Sequence, residues 1–120
     1  MMQAIRFTLI AFAALGIAAA GSVNAQDKAK ERAPVIKVLL DNNKVRVTET
    51  TFKPGDVSRT DRKPRANYFV KNGTLERTTK DGKKTVYERK AGTSAWLEAD
   101  SDVVKNIGKT TFVVVSVTPK

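Results

Sequence analysis

Short runs of β-branched residues, separated by turn signals, constrain the fold of this chain more than any other feature. Beyond residue 25 the sequence contains thirteen Val, two Ile and twelve Thr, so 27 of 95 residues are β-branched. Such side chains are restricted at χ1 and favour strands. No stretch after residue 25 places apolar residues at helical spacing, and turn signals recur every 6 to 12 residues. The sequence therefore predicts an all-β domain, a sandwich or barrel of about eight strands.

The turn signals fix the predicted order of these strands. Asn42, Asn72 and Asp81 lie in turn sequences, and the Asn72-Gly73 and Asp81-Gly82 dipeptides are typical of hairpins. The segment 112–117 is apolar on both faces, so we expect it to be buried on both sides or paired with a second subunit. The predicted strands are 35–40, 44–52, 68–71, 75–79, 84–90, 94–98, 103–106 and 110–118.

The first 25 residues have the pattern of a cleavable signal peptide. Arg6 precedes an uncharged apolar run over 7–20, and small residues at Val23 and Ala25 come just before Gln26. A run of 14 residues is shorter than the ~20 that span a bilayer. We therefore expect export to the periplasm and no stable membrane insertion after processing. Residues 26–34 are charged and predict a flexible arm, followed by one domain over 35–120.

The composition excludes several kinds of chemistry. The chain contains no His and no Cys, so imidazole bases, thiol nucleophiles, thiolate zinc sites and disulfides are all excluded. The formal charge is +10, and residues 53–90 carry twelve basic against five acidic side chains. For an exported protein, this charge indicates an anionic small molecule or envelope component as partner, and no nucleic acid. The alternative is a solvated basic face that maintains solubility.

The predicted domain has few apolar residues for its size. After residue 25 only 31 of 95 residues are apolar. A small domain buries a modest fraction of its surface and is correspondingly marginal in stability. Burial of apolar strand faces in a homodimer is one way to compensate, and we expect a possible homodimer.

The order of several short motifs resembles that of a small cupin. A strand ends in a Pro-Gly turn, a hydrophobic strand leads into Asn-Gly, and a second Gly turn leads to an aromatic strand and an Asn-x-Gly stop. These features lie at 44–47, 52–55, 68–75, 90–96 and 106–108. The resemblance spans most of residues 38–118 and implies a cupin-like jelly-roll β-barrel.

The same resemblance locates the positions at which cupin enzymes hold a divalent metal through His and Glu. Those positions fall on Asp61, Lys63, Asn67 and Asp102. A protonated lysine repels a metal ion. The resemblance therefore implies a degenerate site, and we expect no metal and no cofactor. The alternative left open is a calcium or magnesium ion on Asp61, Asn67 and Asp102.

A pocket for an anion follows if the loop 59–65 lies at the mouth of the barrel, as the resemblance implies. Arginine donates bidentate hydrogen bonds to carboxylates and phosphates. Arg59, Lys63 and Arg65 share one strand parity, whereas Arg62 does not, so alternation counts against all four pointing inward. Aromatic residues could form the walls of the pocket or simply belong to the core. The candidate pocket residues are Arg59, Asp61, Lys63, Arg65, Asn67, Tyr68, Tyr87, Trp96 and Asp102.

The leading interpretation is a non-enzymatic, metal-independent binding protein. No nucleophile or oxyanion hole is recognisable, and fold alone does not supply function. One alternative is a divergent cupin enzyme, an isomerase or lyase acting on an acidic sugar or keto acid. The other is a structural module that docks through its basic face.

Overall fold

Residues 31–120 are described by a computed structural model, and residues 32–120 form one compact unit. The predicted signal peptide over 1–25 lies outside the described residues, as does most of the predicted arm. The strands are β1 (Val35–Asp41), β2 (Val45–Phe52), β3 (Val57–Ser58), β4 (Arg65–Phe69), β5 (Gly73–Thr78), β6 (Lys84–Arg89), β7 (Ser94–Leu97), β8 (Val103–Asn106) and β9 (Phe112–Pro119). Within the described part of the chain, no helix is long and apolar enough to cross a membrane.

The strands form two antiparallel sheets. The five-stranded sheet has the order β1-β2-β9-β4-β7, and the four-stranded sheet has the order β3-β8-β5-β6. Neighbours in each sheet are mostly distant in sequence, as in a jelly roll, where the chain alternates between two sheets. This arrangement confirms the prediction of an all-β jelly roll.

Two of the predicted turns connect antiparallel neighbours, as expected. β1 pairs with β2, and the Asn42 side chain accepts hydrogen bonds from the backbone N–H groups of Lys44 and Val45 at 2.8 and 2.9 Å. β5 pairs with β6 across the turn at Gly82, whose φ is +88°. A positive φ suits glycine, because it has no Cβ.

The hairpin predicted at Asn72 and Gly73 is wrong. β4 and β5 belong to different sheets, so this dipeptide links the two layers. The Asn72 side chain accepts a hydrogen bond from the Ala91 N–H at 2.7 Å, and Gly73 does not have a positive φ. A Cβ at Gly73 would lie 2.3 Å from the Phe112 ring. The glycine therefore allows close approach to a core aromatic residue, which is a different use from a hairpin turn.

The hydrophobic core lies between the sheets and is small, in agreement with the composition. The ring centroids of Phe52 and Phe69 are 5.9 and 6.0 Å from that of Phe112, a spacing favourable for aromatic pairs. The buried cluster comprises Phe52, Phe69, Leu75, Val104, Phe112 and Val114.

Asn106 closes one end of this core. It is fully buried, and its amide donates hydrogen bonds to the carbonyls of Phe52 and Thr110, both at 3.0 Å. Its side-chain oxygen accepts the Gly108 N–H at 3.0 Å. The predicted Asn-x-Gly stop thus fastens the end of β8 to the end of β2.

Candidate functional site

A cavity of about 360 Å³ lies between the two sheets. Its floor consists of the six residues of the hydrophobic core. Exposed residues line its other end, among them Ile36, Arg46, Asp61, Lys63 and Lys120. The cavity therefore has an apolar floor and a charged opening.

Five of the predicted pocket residues line this cavity: Asp61, Lys63, Arg65, Asn67 and Tyr87. Arg65 and Asn67 alternate on β4 with residues that face outward, and both are buried. Asp61 and Lys63 are exposed at the opening. Four of the five come from the loop and strand that the resemblance indicated, whereas Tyr87 comes from β6.

Four predicted residues do not line the cavity: Arg59, Tyr68, Trp96 and Asp102. Tyr68 and Trp96 are 49% and 53% exposed and lie on the outer face of the five-stranded sheet. Because Asn67 points inward and side chains alternate along a strand, Tyr68 must point outward; Trp96 pairs with outward-facing Ala66. Arg59 is exposed and lies outside the lining. The aromatic-wall prediction is therefore wrong for Tyr68 and Trp96 and consistent with the position of Tyr87.

Strand alternation predicted that Arg62 would point away from the other three basic residues, and this is wrong, because Arg62 lines the cavity. β4 begins only at Arg65, and the preceding segment makes one isolated bridge, between Arg62 and Asp100. Strict alternation does not apply to such a loop. Arg62, Lys63 and Arg65 can therefore all face the same space.

Asp100 is the centre of the charged network, and no pattern in the sequence predicted this role. Its carboxylate lies 2.7 Å from Arg62, 3.2 Å from Arg65 and 3.6 Å from Arg77. Asp102 lies 3.2 Å from Arg77 and, rather than lining the cavity, holds that lining side chain in place. Three arginines thus share two carboxylates.

Further contacts hold these arginines in place. Arg62 donates to the Asp102 carbonyl at 3.0 Å and to the Ser58 hydroxyl at 2.7 Å. Arg65 donates to the carbonyls of Lys63 and Glu98 at 3.1 and 3.3 Å. Buried guanidinium groups need such partners, since an unpaired buried charge is costly. Arg62 and Arg65 therefore act chiefly as structural members of the site.

The pKa directions follow from burial and charge. Burial acts to raise the pKa of Asp100, but the charges of Arg62 and Arg65 and their hydrogen bonds outweigh burial, so this pKa lies below its ordinary value. Burial lowers the pKa of Arg65, against the opposing effect of Asp100. Burial also acts to lower the pKa of Arg77, but Tyr87, Asp100 and Asp102 together raise it.

Arg89 differs from the other arginines of the lining. Its guanidinium carbon lies 4.9 Å from the centroid of Phe69 and 4.8 Å from that of Tyr87, within cation–π range. Within residues 31–120, the side chain of every other lining arginine has an ion pair or hydrogen bond, whereas the Arg89 guanidinium has neither. Strand alternation places Arg89 beside Tyr87 on the inward face of β6, just as it places Arg77 beside Leu75 on β5. That pattern could have identified both from sequence.

The donors at the four metal-associated positions do not fit a divalent cation. Asp61 and Lys63 are exposed, the Asn67 oxygen accepts a hydrogen bond from the Ser116 hydroxyl at 2.7 Å, and Asp102 pairs with Arg77. Neighbouring arginines add positive charge. Among the described residues, no three acidic side chains are grouped as metal ligands, whereas calcium requires six to eight oxygens.

The charge balance of the cavity is positive. Seven cationic side chains line it: Arg46, Arg62, Lys63, Arg65, Arg77, Arg89 and Lys120. Asp61 also lines it, and Asp41, Asp100 and Asp102 pair with lining cations, which makes four carboxylates. The excess of three positive charges favours an anion.

Comparison with solved structures identifies the fold. No protein-family model and no curated protein matches the chain. A crystal structure of a cupin domain from Bordetella pertussis Tohama I is similar, with 25% identity, a TM-score of 0.67, and coverage of 76% of this chain and 97% of that one.

Two more distant structures agree with this. An RmlC-like cupin family protein with a double-stranded β-helix fold from Methanocaldococcus jannaschii has 15% identity and a TM-score of 0.55, covering 75% of this chain and 83% of that one. A structure of oxalate decarboxylase has 16% identity and a TM-score of 0.53, covering 74% of this chain but only 26% of the enzyme. These two likenesses concern the fold alone. The described domain is therefore a cupin-type jelly roll.

Proposed function

We propose that this protein binds a small organic anion in the cavity between its sheets and that it does so without a metal and without catalysis. The observation that carries the proposal is Arg89, a cavity-lining guanidinium that stacks on Phe69 and Tyr87 and has no acceptor within residues 31–120. Its donors are available to a ligand, whereas those of Arg62 and Arg65 already have protein acceptors.

Stacking prepares Arg89 for a carboxylate. Contacts with two aromatic rings restrict the side chain and leave the N–H groups at the edge of the guanidinium plane. Two parallel N–H donors match the two oxygens of a carboxylate. A preordered donor loses less conformational entropy on binding than a free surface lysine.

The floor of the cavity indicates the body of the ligand. Arg89 is adjacent to the apolar core through its contact with Phe69. The volume of about 360 Å³ falls within the range of small-molecule sites, which are mostly apolar with a few polar groups. A carboxylate with an apolar ring or short chain fits this arrangement better than a sugar phosphate.

The charged network supports binding rather than catalysis. Asp100 and Asp102, the two carboxylates of the charged network, each contact arginine. Ion pairing holds a carboxylate in its ionised form and weakens it as a general base. This favours a binding protein over the isomerase or lyase alternative.

We further propose that the protein is exported to the periplasm, so that its ligand is a periplasmic solute or an envelope component. The support is the uncharged apolar run over 7–20 and the small residues before Gln26. Nucleic acid is not expected as a partner in that compartment.

The test is calorimetric titration of the protein with benzoate and with benzamide, its neutral analogue. We expect benzoate to bind and to raise the melting temperature, and benzamide to do neither. Loss of one charge-assisted hydrogen-bonded group costs ~1.5–3 kcal/mol, so Arg89→Gln should weaken benzoate binding by about 10- to 100-fold. Arg89→Lys, which keeps the charge but not the planar donor pair, should give an intermediate loss.

The matched control is Lys83→Gln, which removes the same charge from the exposed β5–β6 turn. It should leave the benzoate affinity within about twofold of the original, because a distant exposed charge is screened by salt. Equal losses in Arg89→Gln and Lys83→Gln would show that net charge attracts the anion. Equal binding of benzoate and benzamide would contradict the proposed role of Arg89.

A further inference from the structure

The inner wall of the five-stranded sheet changes from apolar to polar along the cavity. Near the floor, Val114 of β9 pairs with Phe69 of β4. Two residues closer to the opening on each strand, Ser116 pairs with Asn67 on one side and with Thr48 of β2 on the other. All five side chains line the cavity. The middle of the cavity therefore carries a row of hydroxyl and amide groups above its apolar floor.

The amide of Asn67 uses only part of its hydrogen-bonding capacity. The residue is 7% exposed, and its Oδ1 accepts a hydrogen bond from the Ser116 hydroxyl at 2.7 Å. Among residues 31–120, nothing accepts a hydrogen bond from its Nδ2, which carries two N–H donors. Buried polar groups nearly always have partners. Unused donors on a buried, cavity-lining amide therefore indicate a polar group on the ligand.

The Asn67–Ser116 pair offers both a donor and an acceptor to the cavity. The Ser116 hydroxyl donates its proton to Asn67, so lone pairs on its Oγ remain available, and Asn67 supplies the N–H groups. A ligand hydroxyl can accept from Asn67 Nδ2 and donate to Ser116 Oγ, which closes a ring of three hydrogen bonds. An ether oxygen can only accept, and an ammonium group can only donate. The pair is thus complementary to a hydroxyl group.

Strand geometry sets the distance between this pair and Arg89. The Arg89 guanidinium carbon lies 4.9 Å from the centroid of Phe69, and Asn67 is the next inward residue of β4. Inward residues two positions apart on a strand are separated by ~6.7 Å. This spacing matches the distance across a benzene ring from a carboxylate to a para hydroxyl. Hydroxyls at the meta and ortho positions lie closer to the carboxylate.

We propose that the ligand is a para-hydroxylated aromatic acid, whose carboxylate binds Arg89 and whose hydroxyl binds Asn67 and Ser116. This inference rests on the proposed anion-binding function and specifies the opposite end of the ligand. The aromatic ring lies between the two polar ends, against Leu75 and Val114, which line the cavity and belong to the buried core.

The test compares calorimetric titrations of the protein with para-hydroxybenzoate and with benzoate. We expect para-hydroxybenzoate to bind about 10- to 100-fold more tightly, because two further hydrogen bonds form in a buried site. Two analogues should stay within about threefold of benzoate. In meta-hydroxybenzoate the hydroxyl is at the wrong distance from the carboxylate, and para-methoxybenzoate has no proton to donate to Ser116.

Substitutions are compared through the ratio of these two affinities, which cancels general effects on the cavity. Ser116→Ala removes the acceptor and Asn67→Leu removes the amide, and each should reduce the ratio to about threefold or less. Ser94→Ala makes the matched change at an exposed residue of β7 and should keep the full ratio. Arg89→Gln should weaken the binding of both acids and leave their ratio near the original, because it acts on the carboxylate that both acids share. If Asn67→Leu fails to fold by circular dichroism, Ser116→Ala decides, since it removes a single oxygen atom.

Failure of this inference is separable from failure of the proposed function. Equal affinities for para-hydroxybenzoate and benzoate would overturn the inference and leave anion binding at Arg89 intact. So would a preference for para-hydroxybenzoate that survives Ser116→Ala, or equally tight binding of para-methoxybenzoate. Binding of neither acid would overturn both proposals.

Discussion

Replacing Asp100 with asparagine tests whether this carboxylate stabilises the fold. The side chain of Asp100 is 12% exposed and contacts Arg62 and Arg65, which are 15% and 7% exposed. Asn keeps the size of the side chain but removes the charge. Two nearly buried guanidinium groups would then lose their shared counter-ion.

The expected cost is about 3 kcal/mol at pH 7, the lower end of the range for breaking a buried ion pair. We choose the lower end because Arg62 and Arg65 keep hydrogen bonds to Ser58 and to backbone carbonyls. A domain of this size has a stability of roughly 5–13 kcal/mol. The melting temperature should fall by about 12–24 °C.

The effect has a defined pH dependence. The pKa of Asp100 in the folded protein lies below its ordinary value, so its stabilisation is fully present above about pH 4 and is lost as the pH falls through the folded pKa. The difference in unfolding free energy between the original protein and Asp100→Asn should therefore be largest near pH 7 and shrink toward pH 2.

Urea denaturation at pH 7, 4 and 2.5 measures this difference, with Asp61→Asn as control. Asp61 is exposed at the cavity opening, and the same substitution there should change stability by less than about 0.5 kcal/mol. A loss at Asp100 below 0.5 kcal/mol at pH 7, or a difference that is independent of pH, would refute this account of the network.

Two further substitutions test the packing at the closed end. Asn106→Ala should destabilise by about 2–4 kcal/mol in urea denaturation, because it leaves the buried carbonyl of Phe52 and the carbonyl of Thr110 without their donor. A loss under about 1 kcal/mol would contradict this. Gly73→Ala should lower the free energy of unfolding by ~1–3 kcal/mol, and with it the melting temperature, because the new Cβ would overlap the Phe112 ring. An unchanged melting curve would show that the ring moves freely.

The sequence predicted the strands and the fold because both depend on local signals. Most strands were identified directly by runs of β-branched residues, and the β5–β6 turn by its Gly82. β8 was predicted at its observed bounds. The Asn72-Gly73 dipeptide misled because its conformation is determined by Ala91 and Phe112, which are distant in sequence. Tertiary contacts override local turn preference in such cases.

The site was predicted only in part, for a related reason. Arg65 and Asn67 were predicted from the order of the motifs. Asp100 was not predicted, because its role depends on arginines that lie 23 to 38 positions earlier. Arg89 was missed because strand alternation was applied to the loop before β4 rather than to β6. The net charge of the sequence does not show which basic side chains are paired with a carboxylate in the folded protein.

The position of β9 in the five-stranded sheet has a consequence for how the chain folds. β9 is the last strand, yet it lies between β2 and β4 and pairs with both, so that Val45 is opposite Pro119. Until β9 emerges during synthesis, β2 and β4 each have an open edge, and the sheet consists of two separate ladders. Closing so long a loop is slow, because its entropic cost precedes the gain from pairing. Joining β9 to β2 and β4 should therefore be the slow step of refolding, because the five-stranded sheet is continuous only once β9 is in place.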